Sequence, residues 1–405
     1  MLAEERVAAV RGLCRGMLQA NWREGARPGD GVHFAYTCPS PGHYPWQWFW
    51  DSCFAAIVWR RFDETRARTE LETLLAAQRD DGFIGHTIFW GGPPTGFRRF
   101  TYNVLSLSDT MTSSIQPPTL AWAWRIAVGD PSQVEGIVRQ HEWLAANRDL
   151  DGDGLIWIVQ PDESGLDDST QFDPIWRRRA HARPGFVSLV RRNRRLGYDM
   201  RAIADAGGPV CCEVMSNVLY GLSRLALGQS SLTPALVERM YDERSGLFWP
   251  LARPELGQRP PLTWAALSPL ALPDLPEQIG RRLIEEHLLD AERFWLPYPI
   301  PSVSATDPSF SVKDIFFPGV KRYWRGPTWI NSAWLVWLGL VRLGYGEEAG
   351  ELARRLSDLV DASGLREYYN PYTGTGKGAL SFAWSTLVME TTQPDPRAAS
   401  SYLEG

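Results

Sequence analysis

Ser52-Cys53-Phe54-Ala55-Ala56-Ile57-Val58-Trp59-Arg60-Arg61-Phe62, then Asp63-Glu64, then Thr65-Arg66-Ala67-Arg68-Thr69-Glu70-Leu71-Glu72-Thr73-Leu74-Leu75-Ala76-Ala77-Gln78 is the stretch on which the fold turns. The first segment is apolar almost all round. The second is amphipathic, with Leu71, Leu74 and Leu75 gathered on one side. A helix apolar on every face has to be surrounded by protein, whereas a helix with one apolar stripe lies outside with its stripe turned in. Only Asp63 and Glu64 separate the two. The stretch therefore predicts an inner helix followed at once by its outer partner.

The alternation recurs along the chain. Pro118–Val128 is apolar and opens with a Pro-Pro pair, as a helix start can; Ser132–Asn147 after it is amphipathic. Cys211–Leu227 is mostly apolar and precedes the shorter Pro234–Tyr241. Thr263–Leu270, brief and broken by proline, precedes Pro276–Leu289. Pro327–Leu343 is apolar and Glu347–Asp361 amphipathic. Leu380–Glu390 has no follower and the amphipathic Met1–Ala20 no predecessor, so the two ends are expected to pair. Strand signals are sparse. Six inner–outer pairs predict an all-α fold, an (α/α)6 barrel of two concentric rings, with an irregular helical domain or two bundles as the rivals. A single domain over 1–405 is expected, with a long loop excursion at about 148–210.

Loop lengths sharpen the expectation. Links within a pair are short, as at Asp63–Glu64 and Gly129–Asp130, while links between pairs are long: Arg79–Gln116, Arg148–Val210, Asp242–Leu262, Asp290–Gly326 and Ala362–Ala379. Loops of this length usually carry function, and in such a barrel all of them fall at the rim where the inner helices begin. Several open on one step, Asp81-Gly82-Phe83, Asp153-Gly154-Leu155, Ser245-Gly246-Leu247 and Ser363-Gly364-Leu365, which marks a tight turn out of an outer helix.

Composition removes several function classes. The net charge of −5 argues against a broad nucleic-acid surface. The longest apolar run, Ala333–Val341, is too short to span a bilayer, and the charged, amphipathic first twenty residues read as a helix rather than a signal peptide. The compartment expected is the cytoplasm. Five cysteines, two of them the adjacent Cys211 and Cys212, do not form a disulfide framework and are read as reduced. No Cys or His set has metal-ligand spacing. Gly374-Thr375-Gly376-Lys377-Gly378 lacks the spacing of a phosphate loop and is read as a mobile flap over the site. No metal and no cofactor are expected. The 19 tryptophans are the unusual number; core packing absorbs some, and aromatic faces also serve as platforms for sugar rings.

Three acidic positions stand out, each in a long loop or at an inner-helix start. Asp51 follows His43-Tyr44-Pro45-Trp46-Gln47-Trp48-Phe49-Trp50; it reads either as an N-cap or as an acceptor for two sugar hydroxyls. Asp167 lies in Glu163-Ser164-Gly165-Leu166-Asp167-Asp168-Ser169, where Gly165 lets the chain turn tightly and present carboxylates into a cavity; a solvated acidic loop is the alternative. Glu367 lies in Leu365-Arg366-Glu367-Tyr368-Tyr369-Asn370-Pro371 and by itself reads equally as a surface residue.

Four motifs in order, Trp50-Asp51-Ser52, Glu163-Ser164-Gly165-Leu166-Asp167, Tyr323-Trp324-Arg325-Gly326-Pro327-Thr328-Trp329 and Glu367-Tyr368-Tyr369-Asn370-Pro371, span about four fifths of the chain. Together they resemble the signature of glycoside hydrolase family 63 and its trehalase relatives. The resemblance implies an (α/α)6 barrel and an inverting enzyme on α-glycosides, with Asp167 as general acid and Glu367 as general base. Asp168 is the alternative acid. Inversion needs one protonated carboxyl for the departing oxygen and one carboxylate to activate water on the opposite face, roughly 6.5–9.5 Å apart.

Within the family the chain is most similar to the short single-domain bacterial members, the mannosylglycerate and glucosylglycerate hydrolases. That implies a sugar pocket from Tyr44, Trp48, Trp50 and Asp51, a second hydroxyl contact from Gln116, the Gly165 turn, and a glycerate wall from Tyr323, Trp324 and Trp329. An anionic aglycone also asks for a cation, since bidentate arginine suits a carboxylate; in the basic run from Arg177 to Arg201, mostly read as solvated surface, Arg201 is the candidate. The expected partner is a small anionic glycoside, cleaved to the sugar and D-glycerate. The competing functions are an oligosaccharide α-glucosidase or trehalase-like hydrolase, a non-catalytic sugar-binding protein, and a sugar epimerase, for which the six scattered histidines provide no proton-transfer cluster.

Overall fold

The structure, a computed structural model, describes residues 3–92, 95–96, 107–176, 183–313, 315–317, 320–321 and 323–392. The opening stretch folds as its periodicity dictates. Helix α2, Phe49–Trp59, is buried along its whole length. Helix α3, Glu64–Ala76, buries only Ala67, Glu70, Leu71, Thr73 and Leu74, and Asp63 caps it by accepting from Arg66 N at 3.1 Å. The same contrast separates α11, Ile330–Arg342, buried from Ile330 to Leu340, from the one-sided α12, Gly346–Ser363.

The inner ring closes on itself. Helix α2 packs on α4 (Leu120–Ala127), α4 on α8 (Val214–Ala226), α8 on a 3₁₀ segment at Trp264–Ala271, that segment on α11, α11 on a 3₁₀ turn at Ala383–Leu387, and this turn on α2. Outside run α1 (Glu4–Asn21), α3, α5 (Glu135–Arg148), α9 (Thr233–Met240), α10 (Glu277–Leu283) and α12. This is the (α/α)6 barrel. The chain ends do pair: α1 packs on the last inner element and its continuation α13, Val388–Thr391. Arg60 and Arg61, leaving α2, both reach the fully buried Glu390 of α13 and tie the first inner helix to the last. One hydrophobic cluster extends from Val10 to Met389.

Several elements differ from expectation for local reasons. The fourth inner element is 3₁₀ because Pro269 sits inside it and cannot donate an α-helical hydrogen bond. The sixth, expected as a helix over Leu380–Glu390, begins as strand and 3₁₀ turn and is α-helical only over Val388–Thr391. The stretch expected as a loop excursion contains α6, Arg183–Arg195, and α7, Met200–Asp205; Arg177, Arg178 and Arg179 of its basic run lie outside the described residues. The rim loops are joined by short antiparallel pairs that period-2 patterning does not reveal in two- to five-residue strands. The four repeated turn glycines, Gly82, Gly154, Gly246 and Gly364, all have positive φ.

Candidate active site

Asp51 lies in the first turn of α2, one residue after Trp50. It is not the N-cap: that position is Trp48, which makes no side-chain cap bond. The orphan amide of Trp50 is instead satisfied from another loop, by Gln116 Oε1 at 3.0 Å. Behind Asp51, Ser52 Oγ donates to Glu70 Oε1 at 2.6 Å, Thr37 N donates to Glu70 Oε2 at 2.7 Å, and Gln47 receives Trp90 Nε1 at 2.7 Å. These contacts lock the first turn of the inner helix to its outer partner. Burial pushes the Glu70 carboxyl up to about 8, against those hydrogen bonds.

Asp51 is 2% exposed, and its Oδ1 has no hydrogen-bond partner within the described residues. Burial first, then the charges of Glu367 and Asp167, hold its carboxyl well above the usual range. The Tyr323 phenol is likewise raised, by burial and then by Asp167, with Glu367 contributing. Two separate groups thus feel both carboxylates. Asp167 and Glu367, 200 residues apart in sequence, are therefore close enough for their charges to act on the same two side chains.

Asp167 is presented by the turn at Gly165, whose φ of +70° lies in the left-handed region and whose missing Cβ would stand 2.5 Å from Trp50 Cζ2. Trp50 therefore supports the turn from behind, edge-on to Trp384 and against Phe54, rather than lining an open wall. Tyr323 donates to Asp167 Oδ2 at 2.5 Å. Trp324 and Trp329 stack face to face at 3.7 Å, buried behind Tyr323, and Trp329 packs on Tyr368.

Glu163, in the same loop, is a residue whose role the sequence did not disclose. It is fully buried and accepts from Arg148 NH1 and NH2 at 2.7 and 2.6 Å, from Ile115 N at 3.1 Å and from Val159 N at 2.8 Å. The end of α5, the Gln116 loop and the Asp167 loop are joined through this one carboxylate. Asp168, weighed against Asp167 as the acid, is fully buried and ion-paired to Arg325 at 3.1 Å, whereas Asp167 keeps part of its surface accessible.

Glu367 sits on the strand Arg366–Tyr369, paired with Gly376–Leu380, and the register slips at this residue. Such a bulge re-aims a side chain. Ala379 N donates to Glu367 Oε2 at 2.7 Å, and Tyr44 OH donates to Oε1 at 3.3 Å. The segment expected to be a mobile flap is thus a paired strand that holds Glu367. Tyr44 stands edge-on to Trp48, and Trp48 contacts the ring of His86. His86, buried and lowered to about 3 by burial, is a neutral ring against Trp48 that its scattered sequence position gave no reason to select.

Arg201 is not brought to this cluster. It lies on α7, and its guanidinium donates to the backbone carbonyls of Asp149 and Leu150 on the exposed side of that turn. A guanidinium that does reach the loop bearing Asp167 is that of Arg325, through its pairing with Asp168 at 3.1 Å. Among the described residues no group of His, Cys, Asp and Glu is arranged to hold a metal ion, and no helix is long and apolar enough to cross a membrane.

Comparison with known proteins agrees with this architecture. The model of the mannosylglycerate hydrolase MGH1-like glycoside hydrolase domain matches residues 44–230 and 223–385. The chain is 31% identical to a mannosylglycerate hydrolase of Thermus thermophilus, over 87% of this chain and 95% of that protein. It is 26% identical to the glucosylglycerate hydrolase of Mycolicibacterium hassiacum, over 87% and 93% of the two chains. The crystal structure of a family 63 mannosylglycerate hydrolase from a second strain of Thermus thermophilus, in complex with Tris and D-glycerate, superposes with a TM-score of 0.78 at 27% identity, covering 95% of this chain and 100% of that one. A closed helical barrel, with aromatic and acidic side chains drawn together from distant loops, is the architecture that these matches accompany: the chain belongs to the mannosylglycerate hydrolase MGH1-like glycoside hydrolases of family 63.

Proposed function

We propose that this enzyme hydrolyses 2-O-α-mannosylglycerate, and its glucosyl counterpart, to the free sugar and D-glycerate with inversion at the anomeric carbon. What supports the reading is that Asp167 and Glu367 both act on Tyr323, and that each receives a donor from a separate segment. Asp167 gives its proton to the departing glycerate oxygen. Tyr323 donates to Oδ2 and orients the carboxyl for that transfer. Glu367 takes a proton from water on the opposite face of the sugar; Ala379 N holds Oε2, so Oε1, beside Tyr44, points to that water. The unpartnered Oδ1 of Asp51 is a buried acceptor that a sugar hydroxyl satisfies, and Gln116, with its oxygen committed to Trp50, offers its NH₂ group to a second hydroxyl. Trp48 provides the apolar face under the ring.

The continuous core supports one catalytic domain over the whole chain. All five cysteines are buried and unpaired, which suits a reducing cytoplasm. Purified protein assayed in parallel on mannosylglycerate, glucosylglycerate and trehalose tests the substrate, and NMR of the first-formed sugar tests the stereochemistry. The β anomer should appear first, with the anionic glycosides preferred; first-formed α anomer, or preference for the neutral disaccharide, overturns the proposal. Asp167→Asn and Glu367→Gln should each remove turnover from a protein that still melts cooperatively.

A further inference from the structure

We infer that Asp168, Arg325 and Asp173 are positioning residues that act on the acid as one charged trio: they hold the Tyr323 phenol against Asp167 and set the pH at which Asp167 loses its proton. The inference rests on Asp167 being the proton donor. Asp168 follows it directly in the chain and is fully buried; Arg325 follows Tyr323 by two residues and is 7% exposed. Arg325 Nε lies 3.1 Å from Asp168 Oδ1, while its NH1 and NH2 each donate to Asp173 at 2.8 Å, a bidentate pair. One guanidinium therefore ties the loop bearing the acid to the segment bearing the phenol on that acid. Independent bonds, Gly326 N to Ser302 Oγ at 2.8 Å and Ser311 N to Arg325 O at 2.7 Å, anchor the segment on its other side.

The charge balance is specific. Among the described residues, the groups near Asp167 include Asp162 and Asp168 on its own loop, Asp51 from α2, Tyr323 donating to it, Arg325 paired with Asp168, and Glu367 with Tyr44 beyond Tyr323. In this set Arg325 brings positive charge. A guanidinium paired to the very next residue would, without compensation, stabilise the Asp167 carboxylate and strip the acid of its proton. Asp168 and Asp173 turn that local charge from positive to net negative. The enclosed Asp162, pushed up to about 8 by desolvation and then by the charges of Asp167 and Glu163, reports the same crowding of acids. Evidence for the trio is thus its contact geometry and its sign.

Removing a trio carboxylate and removing the guanidinium must then act in opposite directions. Asp168→Asn should move the alkaline limb of the kcat/KM profile down by about 1–2 pH units, the size expected for one charge about 6–12 Å away at an effective dielectric near 20. Arg325→Gln should move it up, and Arg325→Lys, which keeps the charge, should leave it within a few tenths. Asp173 is partly exposed, so Asp173→Asn is the second variant should Asp168→Asn fail to fold, with the same downward shift expected. A merely structural role would lower turnover without moving the limb. Shifts of one sign for the carboxylate and guanidinium variants, or no shift in folded protein, overturn the inference. The assignment of the acid fails separately, if Asp167→Asn retains turnover.

Discussion

Replacing Gly378 by alanine should disable Glu367, the proposed base, while leaving the fold standing. Gly378 has φ +66°, where an L side chain costs about 1–2 kcal/mol. A Cβ there would stand 2.5 Å from Glu367 Oε2, 2.5 Å from Tyr368 Cε1 and 2.7 Å from Glu367 Cβ. Tyr368 is packed against Trp329 and fully buried, so the carboxylate is what gives way. Restoring ordinary contact from 2.5 Å requires a movement of about 0.9 Å, and the neighbouring Ala379 N–H that holds Oε2 is carried on the same strand. Misplacing a reacting group by an ångström costs on the order of 100-fold in rate, about 2.7 kcal/mol of transition-state stabilisation. The expectation is therefore a kcat reduced about 100-fold. KM should change by less than about 3-fold, because Asp51 and Trp48 are untouched. Steady-state kinetics and a thermal melt decide it, with Gly350→Ala as control. Gly350 is exposed within α12 with nothing near its Cβ position, and that change should stabilise by about 0.5–1 kcal/mol at unchanged kcat. A folded Gly378→Ala enzyme with wild-type kcat would refute the assignment of Glu367 and its strand.

Gly165→Ala drives a Cβ to 2.5 Å from Trp50 Cζ2 at φ +70°, so the Asp167 turn shifts and kcat should fall by about 10- to 100-fold, read by the same kinetics. Glu163→Ala leaves Arg148 buried without its counter-ion and should lower the unfolding free energy by about 3–5 kcal/mol in urea titrations; a loss below about 1 kcal/mol would show that the junction of the three segments is carried elsewhere. His86 and His141 are both lowered to about 3 by burial, His141 also by the charge of Arg224. Their folded values lie below the unfolded value of about 6.5, so the unfolded chain takes up protons that the folded chain refuses. Stability is then full above about pH 6.5 and declines toward about pH 3, by up to about 1.4 kcal/mol per pH unit for each histidine. Neither ring nitrogen of His141 has a hydrogen-bond partner among the described residues, so His141→Phe should flatten that acid slope; an unchanged slope would assign it to other groups.

The two rings are legible in the sequence because burial around a helix is written in periodicity. All-round apolarity at Ser52–Phe62 and one-sided apolarity at Thr65–Gln78 are statements about which faces meet water, and neither needs a distant partner to be read. The ordered motifs single out Asp51, Asp167 and Glu367 as candidates ahead of any geometry. Tighter local chemistry is harder to read. Pro269 shortens the fourth inner element into 3₁₀ geometry, and the two-residue strands at the rim are too brief to show alternation. The Gly374–Gly378 segment reads as a flap because its composition is that of a mobile loop. Its partner strand at Arg366–Tyr369 is what holds it.

Composition and pattern alone therefore determined the ring architecture, the inside and outside of each helix pair, and the rim on which acids would collect. Tertiary structure alone decided which charges meet there. It paired Arg325 with Asp168 and turned Arg201 to backbone carbonyls, buried Asp168 while leaving Asp167 partly accessible, joined three segments through Glu163, and aimed Glu367 through a bulge and one backbone amide. The physical reason is range. A helix face is set by neighbours three and four residues away, whereas the orientation of a carboxylate is set by a donor that only the closed barrel brings within about 3 Å.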